Sequence, residues 1–526
     1  MARLFLGLDS STQSLTGTVI DLDAQEVIFE ESINFDQAFP DYGTQHGVLI
    51  SEDPQIVHTP PLIWVEALEL IMQRLVDAGV DMGAILAVSG SGQQHGSVYL
   101  NAKAEAALSN LDPNLTLIEC LTGVFSRATS PIWMDSSTHV ECDEIRSALG
   151  GLQATTEATG SNTFERFTGP QIRKFYKQEP DAYRETKHIA LVSSFMASIL
   201  VGGIAPIEQG DGAGMNLMDI RRRCWHAGAL DATAPELVDK LPSVQPSNSI
   251  CGQIATYFIE KYGFNPGAKI VPFSGDNPCS VIGTGLVKPG MVAISLGTSD
   301  TYFGTMAECR TDPNGEGHVF GSPTGDYMTL ICFKNGSLAR EQVCRDFKLD
   351  WNAFSQGLQN TPPGNNGKMM LPWFEPEIVP RVLQPGVVRK NLELDDAFGH
   401  CRAVVEAQML SMRLHSQWMN IASSEIYATG GASANLDILQ IMADVNNCPV
   451  SQFESTNGAS LGAALRAAQA WTMDEGASPE WEQTVAPFTQ PVPGSRIDPQ
   501  PEAVAVYEEL LTEYALLEQG VLGGIT

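Results

Sequence analysis

The chain has 526 residues, 43% of them hydrophobic and 18% charged, a balance typical of globular proteins. That length exceeds what a single hydrophobic core usually serves, so at least two domains are expected. A formal net charge of −31 argues against a nucleic-acid partner, which clustered Lys and Arg side chains would have to bind.

The first hundred residues alternate strand, turn and helix patterns. Apolar runs at 4–8 and 15–22 predict two strands, and the alternation at 26–32 predicts a third. Residues 61–78 have proline in the first turn and apolar residues at helical spacing, and a further apolar run rises from Ala84. The order strand, strand, strand, helix, strand predicts a mixed sheet covered by helices, which is an α/β fold.

The connection between the first two strands has an unusual composition. It runs through five consecutive polar residues, from Asp9 to Gln13, whereas tight hairpins favour Asn-Gly or Asp-Gly. A similar strand, hydroxyl-rich turn and strand recurs at 291–304, and 425–445 has the pattern of a strand, a Gly-Gly turn and an amphipathic helix. Two such turns in two halves of the chain predict duplicated domains that face one another across a cleft.

These turns suit the phosphates of a nucleoside triphosphate. Backbone N–H groups and Ser or Thr hydroxyls can bind phosphate oxygens, while a carboxylate such as Asp9 can order a hydrated magnesium ion. Local donors are needed because the negative net charge repels anions at long range. The patterns G-x-x-x-x-G-K-[ST] and G-x-G-x-x-G are absent, so neither a P-loop nor a Rossmann site is expected. For either turn taken alone, a polar hairpin tip without a ligand is the alternative.

Cysteine usage and the N-terminus predict a cytoplasmic protein. Ten cysteines occur without a C-x-x-C pair or a histidine at zinc-ligand spacing, which is typical of unpaired thiols in a reducing compartment. The chain reaches Asp9 before any adequate apolar run, so no signal peptide is predicted. Residues 189–207 are uncharged, but their serines, proline and glycines favour a buried helix that ends at Gly202 and Gly203 over a membrane span.

Residues 268–285 add a candidate base. A strand at 269–273 is followed by a helix start, and proline at 278 fits the first helical position, which predicts Asn277 as the N-cap. Asp276 is then not needed for capping and lies at a helix N-terminus, which favours anions. A carboxylate at the carboxyl end of a strand, beside bound phosphate, is well placed to accept a hydroxyl proton. An ordinary capping or turn aspartate is the alternative interpretation.

Nine short motifs occur in a fixed order between residues 4 and 471. They are GLDSSTQS, SGSGQQHGS, PIWMDSST, FERFTG, DGAGMNL, FSGDNP, SLGTSDT, CFKNGS and ATGGASAN. Each is weak alone, but the ordered set resembles the FGGY carbohydrate kinases, most closely the xylulose kinases of eukaryotic type. The resemblance implies an actin/hexokinase-like fold in which two ribonuclease-H-like domains, at 1–285 and 286–526, flank a central cleft for ATP and sugar.

The resemblance also implies roles for particular residues. Asp9 corresponds to the metal-side aspartate of the family, and Asp276 corresponds to the catalytic base. The residues implied to contact ATP are Ser11, Thr12, Gln13, Gly297, Thr298, Ser299, Trp351, Gly431 and Asn435. The residues implied to contact the sugar are His95, Trp133, Asp135, Arg166, Asp276 and Asn277. Without the resemblance, Trp351 reads as packing, His95 as a satisfied turn histidine and Arg166 as a surface arginine.

The implied reaction is ATP + D-xylulose → ADP + D-xylulose 5-phosphate. Asp276 would accept the proton of the terminal hydroxyl while that oxygen attacks the γ-phosphorus in line, and magnesium and the two turns would stabilise the negative charge. Closure of the domains would exclude water, which competes as a phosphoryl acceptor. ATP and Mg²⁺ are the expected cofactors and a small sugar the expected partner. No membrane or nucleic-acid partner and no particular oligomeric state is indicated.

Three alternative functions are suggested by parts of the sequence. Residues 458–462 contain G-x-S-x-G with Ser460 in the nucleophile position, but a hydrolase triad needs a later histidine and the last one is His415. A non-catalytic actin-like protein that binds ATP is opposed by the presence of Asp276. A kinase for ribulose, another ketose or a polyol would share the fold and the base, so only the sugar contacts would distinguish it.

Overall fold

The computed structural model describes residues 2–454 and 457–524. The chain forms two compact units that are discontinuous in sequence. Unit 1 comprises Met1–Val287, Val319–Tyr327 and Thr456–Thr489, and unit 2 comprises Lys288–His318, Met328–Ser455 and Gln490–Thr526. The first change of unit follows Val287, and the domain boundary between 285 and 286 stays a prediction. Unit 1 also contains two segments from later in the sequence, so a single boundary cannot divide the chain into the two units.

The strands follow the predicted pattern in the first hundred residues and again in the second half. In chain order they are β1 (Leu4–Ser10), β2 (Ser14–Asp21), β3 (Glu26–Asn34), β4 (His58–Thr59), β5 (Ile85–Gly92), β6 (Ser97–Asn101), β7 (Ser130–Pro131), β8 (Thr186–Leu191), β9 (Ile207–Glu208), β10 (Met218–Asp219), β11 (Cys224–Trp225), β12 (Val244–Gln245), β13 (Gly252–Gln253), β14 (Lys269–Ile270), β15 (Ser274–Gly275), β16 (Met291–Leu296), β17 (Asp300–Met306), β18 (His318–Gly321), β19 (Tyr327–Phe333), β20 (Met369–Leu371), β21 (Val388–Lys390), β22 (Glu425–Thr429) and β23 (Val450–Gln452).

The helices separate and cover these strands. They are α1 (Phe35–Ala38), α2 (Pro61–Asp77), α3 (Ala104–Ser109), α4 (Leu117–Leu121), α5 (His139–Ala148), α6 (Leu152–Thr159), α7 (Thr168–Gln178), α8 (Pro180–Glu185), α9 (Val192–Val201), α10 (Gln209–Ala213), α11 (Ala227–Thr233), α12 (Thr256–Tyr262), α13 (Asp276–Gly283), α14 (Ser337–Phe347), α15 (Trp351–Asn360), α16 (Ala397–Ser416), α17 (Leu436–Asn446), α18 (Gly458–Asp474), α19 (Trp481–Val485) and α20 (Pro501–Gly523). Short 3₁₀ turns lie at 40–42, 82–84, 237–239, 363–367, 417–419 and 431–434.

Unit 1 is built on a mixed sheet with the strand order β13-β14-β5-β1-β2-β3. Strands β1 and β2 form an antiparallel hairpin, whereas β5 runs parallel to β1 and places Ser91 opposite Asp9. Strand β15 also runs parallel to β5 and places Gly275 opposite Gly92. The carboxyl ends of these parallel strands therefore meet at one edge of the sheet, where ligands bind in many α/β proteins.

Strand β1 is buried on both faces, which is why its sequence is an almost continuous apolar run. Leu6 and Leu8 join a hydrophobic cluster with α2, while Phe5 joins a cluster with α18 on the other face. Helix α18 approaches closely, since a Cβ placed on Gly7 would lie 2.0 Å from the Ser460 carbonyl oxygen. Ser460 is buried, with its hydroxyl 2.7 Å from the Thr18 hydroxyl, so the small residues after 457 serve packing rather than hydrolysis.

Unit 2 repeats this plan. Its strands follow one another in the order β19-β17-β16-β22-β23. Strands β16 and β17 are antiparallel, β22 is parallel to β16, and β23 is parallel to β22. The run β23-β22-β16-β17 thus has the order and directions of β14-β5-β1-β2 in unit 1. The duplication predicted from the two hydroxyl-rich turns is confirmed at the level of strand order.

The uncharged stretch at 189–207 is only partly helical. Residues up to Leu191 belong to β8, which pairs with β6, and the buried helix α9 runs from Val192 to Val201. Gly202 ends it in the left-handed conformation, with φ 70°, as predicted. Within residues 2–454 and 457–524 no helix has the length and apolar character that crossing a membrane requires.

Candidate active site

Asp9 lies where the parallel edge of the unit 1 sheet ends. The Ser91 hydroxyl of β5 donates a hydrogen bond to Asp9 Oδ1 over 2.6 Å. Burial raises the pKa of the Asp9 carboxyl to about 6, although the bond from Ser91 opposes that shift. The second oxygen, Oδ2, accepts no hydrogen bond from the described residues and is available to a ligand.

Asp276 begins helix α13, with Gly275 as the N-cap, so the predicted N-cap at Asn277 is wrong. The physical reason is that Gly275 is still paired with Gly92 in the sheet, and helical geometry starts directly after that pair. Pro278 accordingly falls at the third helical position, still within the first turn, where a missing N–H is tolerated. The N-cap position is therefore not that of Asp276, although its Oδ1 accepts the backbone N–H of Asn277 over 2.7 Å, and its role as a base stays a prediction.

The surroundings of Asp276 suit proton transfer near neutral pH. Burial, together with the negative charge of Asp9, raises the pKa of Asp276 to about 7, while backbone hydrogen bonds from Asn277 and Gln94 oppose the shift. A general base is most effective when its pKa lies near the operating pH. Perturbed carboxyl groups of this kind are concentrated at functional sites.

The turn after β5 brings His95 to the start of α13. Asn277 Nδ2 donates to Gln94 Oε1 over 2.8 Å, and His95 Nδ1 donates to the carbonyl oxygen of Gly214 over 2.7 Å. His95 has φ 74°, a left-handed conformation that costs free energy for a non-glycine residue. Several contacts therefore hold this turn, and the bond from Asn277 to Gln94 ties it to the start of α13, while the sugar contacts of His95 and Asn277 stay predictions.

Three further side chains at this edge were not predicted from the sequence. The atoms Gln93 Oε1 and Nε2, Gln94 Nε2 and Asp211 Oδ1 are buried and have no hydrogen-bond partner among the described residues. A Cβ on Gly275 would lie 3.0 Å from Asp211 Oδ1, so Asp211 lies directly behind the cap of α13. Unpaired buried polar atoms are costly, and sugar hydroxyls would satisfy them. The only signal in the sequence is polar residues isolated among glycines in GQQHG and DGAG.

Trp133 and Arg166 come from the segments inserted between β5 and α13. Trp133 is 42% exposed, and its Nε1 donates to Thr12 Oγ1 over 2.8 Å. Arg166 is half-buried, with its guanidinium carbon 4.7 Å from the centre of the Phe164 ring. The contact of Trp133 with Thr12 joins the predicted sugar side to the first phosphate turn.

Asp135 differs from the other predicted sugar contacts because its carboxylate is already engaged. It is fully buried, and Oδ1 accepts hydrogen bonds from Ser137 and Gln171. Despite burial, hydrogen bonds from His58, Ser137 and Gln171 hold the pKa of Asp135 well below its usual range. Asp135 therefore stabilises the loop that carries Trp133, and a direct contact with sugar stays a prediction.

The turn between β1 and β2 is closed by its own polar groups. The Ser11 backbone N–H and hydroxyl both donate to the carbonyl oxygen of Ser14, and the carbonyl of Gln13 accepts from the N–H of Phe35. Ser11 and Thr12 remain partly exposed, and Gln13 is exposed. These groups lie directly after Asp9, where a phosphate beside a metal ion would need donors.

In unit 2 the turn from Gly297 to Ser299 connects β16 and β17, and Thr298 is exposed. Asp300 anchors this turn from within unit 2. Its carboxylate accepts a hydrogen bond from the backbone of Gly297 and two from Arg340, over 2.8 and 3.0 Å. Asp300 and Arg340 are both fully buried. Sequence reasoning missed this pair, although Asp300 directly follows the predicted phosphate turn.

The residues predicted to contact adenosine lie at the same edge of the unit 2 sheet, because β22 runs parallel to β16. Asn435 caps α17 with Oδ1 and donates from Nδ2 to the Ser355 hydroxyl over 2.7 Å. Ser355 lies in α15, which begins at Trp351, and Trp351 is 51% exposed. The structure thus places Trp351, Asn435 and the turn at Gly431 on one side of unit 2.

We expect Gly431→Val to weaken ATP binding without unfolding the protein. No atom lies within 4 Å of the position that a Cβ of Gly431 would take, so the side chain would project into the space predicted for nucleotide. Gly430 is the matched control, because its φ is 83° and its Cβ would lie 2.6 Å from the carbonyl oxygen of Leu296. Gly430→Val should therefore lower the melting temperature. Calorimetric ATP titration and thermal unfolding separate the two effects, and unchanged ATP affinity in Gly431→Val would contradict the assignment.

The residues at the unit 1 edge fit a hydrated magnesium ion. In the part of the chain that the structure describes, no group of three or more His, Cys, Asp or Glu side chains is arranged to hold a metal. Mg²⁺ characteristically binds one or two carboxylates together with phosphate oxygens and water. Asp9 fits such a site, since its Oδ2 is uncommitted and its negative charge raises the pKa of Asp276. A cation there would relieve that repulsion.

Comparison with known proteins gives a consistent result. Residues 124–283 and 292–471 match the N-terminal and C-terminal domains of the FGGY family of carbohydrate kinases. A xylulose kinase of Rattus norvegicus is 43% identical over 532 residues, spanning 99% of this chain and 97% of its own length. Xylulose kinase 2 of Arabidopsis thaliana is 44% identical over 89% of this chain and 87% of its own. The crystal structure of a xylulose kinase from Rhodospirillum rubrum, 19% identical, has the same fold, with a TM-score of 0.82 over 99% of each chain.

Proposed function

Because this chain belongs to the FGGY family of carbohydrate kinases, we propose that it transfers the γ-phosphoryl group of ATP to the terminal hydroxyl of D-xylulose. The products are D-xylulose 5-phosphate and ADP. The observation that carries the choice of substrate is 43% identity with the rat xylulose kinase over 99% of the chain. A carboxyl group of suitable pKa at the start of α13 supports the chemistry.

In this reaction Asp276 acts as the general base. Its carboxylate accepts the proton of the terminal hydroxyl as that oxygen forms a bond to the γ-phosphorus and the bond to the ADP oxygen breaks. His95, Arg166 and Asn277 hold the other sugar oxygens, so that the reacting hydroxyl is presented to Asp276. Positioning of this kind contributes to the rate separately from proton transfer.

The two polar turns are assigned to the phosphates. The hydroxyls of Ser11, Thr12 and Thr298 and the nearby backbone N–H groups bind phosphate oxygens, where negative charge accumulates in the transition state. Mg²⁺ bound beside Asp9 would supply positive charge to the β- and γ-phosphate oxygens. The ring of Trp351 and the backbone at Gly431 bind the adenosine.

The pKa of Asp276 determines the expected pH dependence. Asp276 must be ionised to accept a proton, so kcat/KM for the sugar should be level at high pH and fall about tenfold per pH unit below the pKa of Asp276, which burial raises and which Mg²⁺ beside Asp9 would bring down from about 7. Initial rates at saturating ATP between about pH 5 and about pH 9 test this, with the residual activity of Asp276→Asn as the control. If kcat/KM of the wild type fell only near pH 4, or if Asp276→Asn showed the same fall as the wild type, the assignment would be contradicted.

The substrate is tested by ADP release over a panel of D-xylulose, D-ribulose, D-fructose, glycerol and xylitol. We expect D-xylulose to give the highest kcat/KM, because buried hydrogen-bonding groups reject sugars that leave them unpaired. A higher kcat/KM for D-ribulose or for a polyol would show that the protein is a carbohydrate kinase with a different substrate. ADP release that does not depend on sugar would indicate an actin-like ATP-binding protein instead.

The cytoplasm is the compartment we propose for this activity. Buried cysteines such as Cys142, Cys279 and Cys401 form no disulfide. Unpaired buried thiols are typical of proteins kept in a reducing compartment. Fractionation of the producing cells with antibodies against the protein tests this proposal.

A further inference from the structure

Unit 1 contains a cavity whose walls include none of the residues assigned to the sugar or the nucleotide. Its volume is about 580 Å³, within the range of about 300–1,000 Å³ that small-molecule sites occupy. The walls come from the turn at 222–223, the segment 244–248, the turn at 323–325 and the residues around 469–481. These segments are far apart in sequence and meet only in the folded unit.

Two arginines give this cavity a positive wall in an otherwise acidic protein. Arg223 donates to Gln209 Oε1 over 3.4 Å and to the carbonyl oxygen of Gly325, and its guanidinium lies 5.0 Å from the centre of the Tyr327 ring. It has φ 55°, so its backbone is held in the left-handed conformation. Arg222 is 83% exposed at its side chain, and its Nε lies 3.9 Å from Oδ2 of Asp219.

The guanidinium groups are thus available to an anion. Arg223 donates hydrogen bonds only to neutral acceptors in the described chain, and the nearby carboxylate of Asp326 interacts with its charge without a hydrogen bond. The contact of Arg222 with Asp219 is at the limit of an ion pair and exposed to water, so it contributes little. Phosphate groups are the ligands that guanidinium pairs bind best, through charge-assisted hydrogen bonds.

The remaining wall suits a neutral polyol. Gln209 is 4% exposed, and its Nε2 donates no hydrogen bond within the described residues. The side-chain amide of Gln245 makes no hydrogen bond there either, and the ring of Trp481 is half-buried against the cavity. Uncommitted amides bind hydroxyls, and an indole face packs against the C–H groups of a sugar. Glu480 also lines the cavity and can accept a hydroxyl hydrogen.

We propose that this cavity is a second binding site, for a small phosphorylated sugar. The phosphate lies on Arg222 and Arg223, the hydroxyls bind the amides of Gln209 and Gln245, and the carbon skeleton packs on Trp481. The site goes beyond the proposed function, since no residue of the phosphoryl-transfer site takes part. A chain with a net charge of −31 needs such a local cluster to hold an anion away from its nucleotide site.

Calorimetric titration of the whole protein tests the proposal, with D-xylulose 5-phosphate, D-xylulose and inorganic phosphate as separate probes. We expect the sugar phosphate to show two classes of site in the wild type. Arg222→Glu should weaken one of them by about tenfold or more, because a charge-assisted contact is replaced by repulsion. Its kcat and KM should stay at wild-type values, which also shows that the variant is folded.

Arg221→Glu is the matched control. Arg221 is adjacent in sequence, but its guanidinium donates to the carbonyl oxygen of Glu157 and it does not line the cavity. Both classes of site should persist in this variant. A single class in the wild type, or equal losses in Arg221→Glu and Arg222→Glu, would overturn the proposal.

The sugar part of the ligand has its own test. Gln245→Leu should weaken D-xylulose 5-phosphate at the second site and leave inorganic phosphate unaffected. If inorganic phosphate binds as tightly as the sugar phosphate, the assignment to a phosphorylated sugar is wrong and the cavity holds free phosphate.

Discussion

Asp276→Asn is expected to lower kcat by about 10²–10⁴-fold, the usual contribution of a general base. The amide keeps the shape of the side chain and its oxygen can still accept the bond from the N–H of Asn277, which now reaches Asp276 Oδ1 over 2.7 Å. Only the ability to take up a proton is removed. The loss will be larger if Asp276 also aligns the hydroxyl for attack.

Binding should survive this substitution, because other groups hold both substrates. Calorimetric titration of ATP and sugar, run beside single-turnover phosphoryl transfer, separates the two steps. Asp135→Asn is the matched control, since Asp135 is also a buried carboxyl group but already accepts hydrogen bonds from protein groups, among them Ser137 and Gln171. We expect it to lower stability and not the single-turnover rate at saturating sugar, whereas its predicted contact with the sugar would raise KM for the sugar. Near-normal transfer by folded Asp276→Asn would eliminate Asp276 as the base, and joint loss of binding and transfer would make it a structural residue.

Asp300→Ala is expected to destabilise unit 2 by about 3–5 kcal/mol, because it leaves a buried charge without its counter-ion. Arg340 has no exposed surface, and both of its terminal nitrogens donate to Asp300. Its other contacts, with Gln408 and Ser337, are neutral and cannot replace the carboxylate. Urea unfolding followed by hydrogen exchange in β16 and β17 measures the loss.

The double variant Asp300→Leu with Arg340→Met separates the contribution of the ion pair to stability from the contribution of side-chain packing. Replacing both partners with apolar groups of similar volume should recover most of the stability. The KM for ATP should nevertheless stay raised, because Gly297 still lacks the carboxylate that fixes the second phosphate turn. Equal destabilisation by the single and double variants would show that packing, and not the ion pair, is what Asp300 provides.

Local patterns were sufficient to predict the elements that carry the site. The hairpin of β1 and β2, helix α2 and the two polar turns follow from periodicity and turn composition, which are properties of neighbouring residues. The errors came where pairing with a distant strand decided the outcome. Gly275 is the N-cap of α13 because it pairs with Gly92, and Leu191 is extended because it pairs with Ser97 in β6.

The sequence did not reveal the charged side chains whose structural role depends on being buried. Arg340 and Asp300 are 40 residues apart in sequence, and nothing near either one indicates a buried ion pair. Arg466 is similar, since it is 1% exposed and donates to Ser89 and to the carbonyl of Pro272, far away in the chain. A charged residue reads as surface in a sequence unless its partner is known.

The late segment of unit 1 determines when that unit can be completed during protein synthesis. Helix α18 covers the face of the sheet formed by Phe5 and Ala87, and its Ser460 meets Thr18 across 442 residues of sequence. At about 5–20 residues per second, the ribosome needs about 10–40 s after making α13 to deliver that helix. During that interval the apolar face of the unit 1 sheet that α18 later covers is exposed to water. Such a delay is expected for a fold rich in contacts between residues distant in sequence. A fragment ending near residue 287 should therefore aggregate, and the N-terminal half of this kinase is not a unit that can be produced alone.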